Sequence, residues 1–299
     1  AQVIYDIVRK LKTGSSLHLS LKDNNRLKLI SGKSDFNLTC ISPDEFPILE
    51  DNMDEQYLEI PSFEFIKIIN KTKFSISNDE TRHYLNGIYL DKKQDGNQLT
   101  AVATDGHRLS KSSTEIKGKA NFQPVILPKK TVFELLSVID EDSIGLKILS
   151  TKSKIKFLYK DIILISKVID GKFPDYEKVI PKDKRIPAKS NVEEFVSALD
   201  RLKSLSSDRK GVIKISMDKG VMKFLINDAI SGDGIEEVQT QYQGEHMEIG
   251  FNSTYLIDVA NVLESKEIIL MLKDATSPIQ LKDENDPLST YIVMPMRVI

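Results

Sequence analysis

The sequence predicts an α+β chain of tandem, pseudo-repeated domains in which pairs of helices pack on antiparallel sheets. Three observations lead there. A short amphipathic helical pattern, three strand patterns, then an aromatic residue or Met followed by Pro occur in that order three times. The closing prolines stand at 47, 174 and 295, so the steps are 127 and 121 residues, the length of a domain and not of a solenoid repeat. A chain of 299 residues is also long for one core, which makes two or three domains the expectation.

In chain order, residues 3–8 carry the first amphipathic helix. The alternation of Leu17, Leu19 and Leu21 with polar neighbours, the run 27–30 and the run 36–41 give three strands, closed by Phe46-Pro47. A different, earlier half opens the next copy: an apolar helical face over 60–69, read as one helix-like run from Phe63 to Ile76. Two strands follow, at 88–90 after the turn signal Asn86-Gly87 and at 99–103 before Asp105-Gly106. The back half of that copy has its helix at 132–136 and strands at 146–149, 155–159 and 162–168, closed by Phe173-Pro174. A third front half has its helix at 190–199, extending to 207. The third back half has a helix at 255–263, within the span 252–265, strands at 268–272, 279–282 and 291–293, and ends at Met294-Pro295. The first copy has no front half. We therefore expect three divisions: 1–56, the remnant C-terminal half of one domain, then 57–184 and 185–299. The start Ala1-Gln2-Val3, without Met and inside an amphipathic pattern, reads as a truncation.

Hydrophobic residues at 40% and charged residues at 29% describe an ordinary soluble globular protein. Lys and Arg number 42 against 44 Asp and Glu, a net charge of −2, so contact with nucleic acid would have to come from locally clustered bases. A single cysteine, Cys40, cannot form an internal disulfide and fits a reducing compartment; we read it as a structural thiol on a strand. No apolar run is long enough to span a membrane and no signal-like start is visible, so the expected location is cytoplasmic.

The chain is organised around Ala103-Thr104-Asp105-Gly106-His107-Arg108-Leu109, a polar pair at a strand end beside an apolar residue. Arg82-His83-Tyr84-Leu85-Asn86-Gly87 opens a second strand that can neighbour it, which would gather Leu85, Thr104 and Leu109 in one patch. These two blocks, then Asp170-Gly171-Lys172-Phe173-Pro174-Asp175-Tyr176, then Val293-Met294-Pro295-Met296-Arg297, resemble in order the family of bacterial DNA sliding clamps, the beta subunit of the replicative DNA polymerase. The resemblance spans nearly the whole chain and implies the DNA-clamp fold: three copies of a two-helix, double-sheet domain, two subunits closing head to tail into a ring. It implies a processivity factor that encircles double-stranded DNA without reading its sequence and tethers polymerase subunits, the clamp loader and repair proteins through short peptides. The missing first front half removes part of one ring-closing surface in the family.

By the same resemblance, Leu85, Thr104, Gly106, His107, Arg108 and Leu109 form one part of a peptide pocket. Pro174, Lys178 and Val179 form a second part and Met294, Pro295, Met296, Arg297 and Val298 the remainder, with Asn252, Tyr255 and Ile279 as further members. The composition suits this, because Met adapts to different side chains, Pro gives a rigid wall, and Arg or His at the rim can hold a polar peptide group. The chain runs on past Arg297 to Val298-Ile299, a departure at the pocket's end. DNA contact is expected from Arg9 and Lys10, with Lys12, and from Lys67, Lys71 and Lys73 on the helix-like run, as amines reaching phosphates. Arg82, His83 and Tyr84 contact DNA in relatives; Asp79 just upstream would weaken such contacts. The rival readings are a hydrolase-like enzyme using Asp105 and His107 as an acid/base pair, and a peptide-binding module that does not encircle DNA. His18, His83 and His246 are scattered without metal-ligand spacing, and no Gly-rich phosphate loop is present, so neither catalysis, metal nor cofactor is expected.

Overall fold

The computed structural model describes residues 2–22, 25–46, 57–92, 96–116, 122–206 and 211–297. The chain forms two compact units, 1–52 and 53–299. In the first, α1 (Gln2–Val8) precedes β1 (His18–Lys22), β2 (Arg26–Ser31) and β3 (Ser34–Thr39), an antiparallel sheet in the order β1-β2-β3. Leu29 is its fully buried residue, whereas β1 is exposed along its whole length. Cys40 lies one residue past β3, not on a strand, and its amide donates to the Asn25 carbonyl at 2.7 Å. Pro47 and Val298 fall outside the described residues.

The second unit contains β4 (Leu58–Pro61), α2 (Ser62–Asn70), β5 (Gly87–Asp91), β6 (Gln98–Thr104), β7 (Arg108–Glu115), β8 (Val125–Pro128), α3 (Lys129–Val138), β9 (Gly145–Ser150), β10 (Lys154–Tyr159) and β11 (Ile162–Lys167). It continues with β12 (Ile186–Asn191), α4 (Val192–Lys203), β13 (Val212–Asp218), β14 (Val221–Asp228), β15 (Gly232–Gln239), β16 (Met247–Asn252), α5 (Ser253–Ala260), β17 (Glu267–Leu272), β18 (Ile279–Lys282) and β19 (Ser289–Val293). The sheets repeat one plan. A back-half sheet, β11-β10-β9-β4, has its counterpart in β12-β17-β18-β19, and a front-half sheet, β15-β14-β13-β16, has its counterpart in β7-β6-β5-β8.

The two counterparts join. β19 pairs antiparallel with β7, with Val293 opposite Arg108, Ile292 opposite Leu109 and Ser289 opposite Ser112, so eight strands form one sheet across the expected boundary at 184. This pairing is why 53–299 is one compact unit, although separate apolar clusters lie on either side. One gathers Phe65, Ile68, Leu127 and Phe157, the other Phe195, Phe224, Phe251 and Leu270. A buried polar seam lines the join: Ser289 Oγ donates to Ser112 Oγ at 2.8 Å and Ser75 shares a hydrogen bond of 2.7 Å with Ser110.

Three local expectations are corrected. The helix expected over Phe63–Ile76 ends at Asn70: the Thr72 hydroxyl turns back to the Ile68 carbonyl at 2.8 Å, competing with continuation, and Lys73–Ser75 is a separate 3₁₀ turn. The helix expected to reach 263 ends at Ala260. Residues 80–85 form a 3₁₀ segment instead of opening a strand, because Asp79 caps it by accepting from the Thr81 amide at 2.9 Å. The strand begins only at Gly87, where a Cβ would collide with the Leu127 carbonyl of the neighbouring β8.

Candidate functional site

The turn between β6 and β7 is built from its own sequence. Gly106 sits at φ +89°, a conformation that favours glycine, and the Thr104 hydroxyl donates to the Arg108 carbonyl at 2.6 Å. One Asp105 oxygen accepts from the amides of His107 at 2.9 Å and Arg108 at 3.0 Å; the other meets Arg108 Nε at 3.0 Å. Both carboxylate oxygens are therefore engaged by the turn, and the segment is not an extended strand. The acid/base pair with the His107 ring has no geometric basis here.

Behind the turn an apolar cluster joins Leu85, Val102, Leu109, Ile126, Phe173, Tyr176 and Ile292. Tyr89 stacks on Phe173 with ring centroids 4.9 Å apart, and burial pushes the Tyr176 phenol up to about 12. The C-terminal segment closes over one side: the Met294 amide donates to the His107 carbonyl at 2.9 Å and the Met296 amide to the Gly250 carbonyl at 2.8 Å. Met294 is 39% and Val179 43% exposed, and His107, Pro174, Lys178 and Arg297 are exposed too. A greasy floor thus lies beside an open lip of Met, Pro, Val and His, a surface that can hold apolar side chains.

Several expected members have other tasks. Arg108, expected at the rim, is only 11% exposed: Nη1 meets Asp258 of α5 at 2.5 Å, Nη2 donates to the Phe74 carbonyl at 2.5 Å, and the guanidinium lies 4.3 Å from the Tyr255 ring centroid. Arg108 fastens the turn to the other half of the unit. Asn252 caps α5 by accepting from the Thr254 amide at 2.9 Å and is nearly buried. Ile279, 1% exposed, belongs to the C-terminal core opposite Val293; Thr276 is the nearby residue that borders a hollow of about 450 Å³ with Pro295, Met296 and Arg297. Sequence reasoning missed Thr276, Asp258 and the floor residues Val102, Ile126, Phe173, Tyr176 and Ile292. Phe173 and Tyr176 lay inside a quoted block and could have been taken with Pro174.

Within the second unit the basic residues do not form one open face. In the first unit Arg9, Lys10 and Lys12 follow α1 instead of lying on it, and Arg9 pairs with Asp6 at 3.3 Å. In the second, Lys67 on α2 pairs with Glu264 at 2.9 Å. Lys71, expected to reach phosphate, is 6% exposed at its side chain and bound to Glu264 at 2.6 Å and to Asp286. Burial tends to raise the Asp286 pKa, but hydrogen bonds from Lys71 and Ser289 outweigh it and hold the carboxyl below its ordinary value. Lys73 donates to Asn70 at 2.6 Å. Arg82 pairs with Asp79 at 2.8 Å and also donates to the Asp105 carbonyl at 3.2 Å, while the His83 ring meets the Asp170 carbonyl at 3.2 Å and the Tyr84 ring edge-on. The Asp79 carboxyl is held at about 2 by hydrogen bonds from Thr81 and Arg82, so this stretch carries its own counter-charge. Among the described residues no group of three or more His, Cys, Asp or Glu is placed to hold a metal.

Comparison with known proteins places the whole chain in a family. Family models described as the N-terminal, central and C-terminal domains of the DNA polymerase III beta subunit match residues 1–50, 59–175 and 177–297. The chain is 35% identical over 302 residues to a beta sliding clamp of Caulobacter vibrioides, covering all of this chain and 81% of that protein. Against a crystal structure of the C. crescentus beta sliding clamp the TM-score is 0.93 at 34% identity, covering 100% of this chain and 80% of the other. Against the Bartonella birtlesii sliding clamp bound to griselimycin it is 0.90 at 36% identity, covering 99% and 80%.

Proposed function

This chain belongs to the DNA polymerase III beta-subunit family, the sliding clamps, and on that premise we propose which of its residues do a clamp's work. Its function is that of a DNA sliding clamp and processivity factor, a non-catalytic subunit that holds the replicative polymerase on duplex DNA and tethers its partners by short peptides. The three divisions 1–56, 57–184 and 185–299 are the proposed clamp domains, and a cytoplasmic location follows from work on chromosomal DNA. Among the described residues no helix is long and apolar enough to cross a membrane.

The peptide site we propose has Leu85, Leu109, Phe173 and Ile292 as its floor and Thr104, Gly106, His107, Pro174, Lys178, Val179, Met294, Pro295, Met296 and Arg297 around its opening, with Tyr255 behind. What supports this reading is one observation: a buried apolar cluster sits directly beneath an exposed lip made by two distant chain segments, bonded to each other through His107 and Met294. Arg108 acts as the fastening of that lip and not as a peptide contact. Ring closure follows the repeat. β15 is the counterpart of β7 and among the described residues has no partner on its outer edge, so it would take a back-half strand of a second copy as β7 takes β19.

Duplex contact is proposed for Arg9, Lys10, Lys67, Lys73, Arg82, His83 and Tyr84, with Lys71 reassigned to structure because it is buried and paired. Fluorescence anisotropy with a duplex at increasing salt tests this. Binding should weaken steeply, with a log–log slope that falls by about 1 in Lys10→Ala and stays unchanged in Lys71→Met. An affinity flat across salt would overturn phosphate-driven contact.

A further inference from the structure

The seven methionines of the chain are unevenly placed. Met217 and Met222 are fully buried in the C-terminal core, and Met247 packs half-buried against it. Met271 of β17 is half-buried, with Pro187 of β12 opposite it on one side and Gln280 of β18 on the other. Met296 is half-buried too, its amide on the Gly250 carbonyl, and Met53 lies outside the described residues. Among the described residues Met294, 39% exposed, is the one exposed methionine, and it stands on the lip of the proposed peptide site.

The main chain holds that sulfur in place. Val293, the preceding residue, ends β19 opposite Arg108 of β7 and Ile279 of β18, and the Met294 amide donates to the His107 carbonyl at 2.9 Å. The side chain therefore projects from a fixed frame into the open lip. A thioether suits that position because it is apolar, polarizable and adapts to varied side chains. It is also easily oxidised, and the sulfoxide turns the same side chain polar and chiral. In the empty site water hydrogen-bonds the new oxygen; an apolar peptide side chain seated over it would strip that water and offer no donor in return.

We propose that Met294 is a modification site: oxidation of its sulfur to the sulfoxide by a peroxide closes the peptide site to apolar anchors, and reduction reopens it. The sulfur lone pair takes one oxygen from hydrogen peroxide; the O–O bond breaks, an S–O bond forms, the sulfur gives up two electrons, and the rest of the peroxide leaves as water. Methionine sulfoxide reductases, one for each sulfoxide epimer, reverse the change with two electrons from a dithiol, and the oxygen leaves as water. The inference rests on the proposed peptide site, and the test separates the two.

The full chain would be treated with hydrogen peroxide, its oxidised residues located by mass spectrometry, and a short synthetic peptide bearing two adjacent large apolar side chains titrated calorimetrically. Met294 should oxidise ahead of the other methionines, and the fully converted chain should bind the peptide about tenfold more weakly with its urea midpoint unchanged. Peptide bound beforehand should slow oxidation of Met294 and not of Met271. Treatment with both reductases should restore the affinity. Met294→Leu keeps the bulk and loses the sulfur; it should bind within about twofold of the unaltered chain and keep that affinity after peroxide. Cys40→Ser, which removes the chain's one thiol, should lose affinity on oxidation as the unaltered chain does. Undiminished affinity at full conversion of Met294, an equal loss in Met294→Leu, or a loss that disappears in Cys40→Ser would overturn the site. So would earlier oxidation of Met296, or a fall in the urea midpoint that accompanies the loss of affinity. Failure of the untreated chain to bind the peptide would instead overturn the anchor pocket.

Discussion

Replacing Asp258 with Asn tests whether the peptide site depends on the join between the two halves of the second unit. The Arg108 side chain is 11% and that of Asp258 30% exposed, and they meet at 2.5 Å. Removing one partner of a buried ion pair costs about 3–5 kcal/mol. Here the guanidinium keeps Asp105 at 3.0 Å, the Phe74 carbonyl and the Tyr255 ring, and Asp258 is partly hydrated, so about 2 kcal/mol is the expected loss. Arg108 also sets the turn whose His107 carbonyl receives the Met294 amide. Loosening it should therefore weaken a short apolar peptide by roughly three- to tenfold although Asp258 does not touch the peptide. Urea denaturation gives the first quantity and calorimetric titration the second. Arg108→Lys should resemble Asp258→Asn, because one amine cannot reach Asp105, Asp258 and Phe74 together. If Asp258→Asn leaves both stability and affinity untouched, Arg108 is not the fastening and belongs at the rim after all.

Two further outcomes follow from burial. Met294→Asp should abolish peptide binding by calorimetry with little change in the urea midpoint, because Met294 is 39% exposed; Leu109→Asp places a carboxylate at a 3% exposed position in an apolar cluster and should unfold or strongly destabilise the chain, so the two substitutions are not equivalent probes. The seam at Lys71 should be acid-sensitive: the Asp286 and Glu264 carboxyls have folded pKa values below their ordinary 3.8 and 4.5, so their stabilising contribution is complete above that range and is lost as pH falls below it. Melts from pH 7 down to pH 3 should show this fall, and Asp286→Asn should flatten it while lowering stability at pH 7; equal pH dependence in both proteins would refute the assignment.

The repeat grammar was legible because it is written in strand alternation and closing prolines, which local chemistry determines. The three strands of each back half were expected within a residue or two of β9, β10 and β11 and of β17, β18 and β19. What sequence could not supply was partnership between distant segments. Lys71 reads as one more basic residue on a helix-like run until Glu264 and Asp286 arrive from 193 and 215 residues away. Arg108 reads as a rim cation until Asp258 and the Phe74 carbonyl enclose it. The end of α2 was missed for a smaller reason: the apolar pattern continues through Phe74 and Ile76, but Phe74 sits in a 3₁₀ turn and packs against the other half's core, and Ile76, past that turn, fills the core beneath α2 from an extended segment. Ile279 enters through the resemblance alone, and its apolar side chain is buried in the core, leaving Thr276 to border the hollow.

The repeat also argues why one join should be permanent and another reversible. At β7 and β19 the edge strands bring Ser110 and Ser112, nearly water-free, against Ser75 and Ser289, with the Lys71 seam alongside; separating them would strand buried polar groups. β15, the counterpart of β7, presents a different surface: Glu236 is held by Arg201 at 2.7 Å, Glu237 by Lys223 at 2.6 Å, and Ile235 is 61% exposed. Charged side chains on a free edge keep it soluble unpaired and make pairing cost little to undo. A ring that must be put onto DNA has to open somewhere, and of these two counterpart strands β15 is the one whose residues tolerate water.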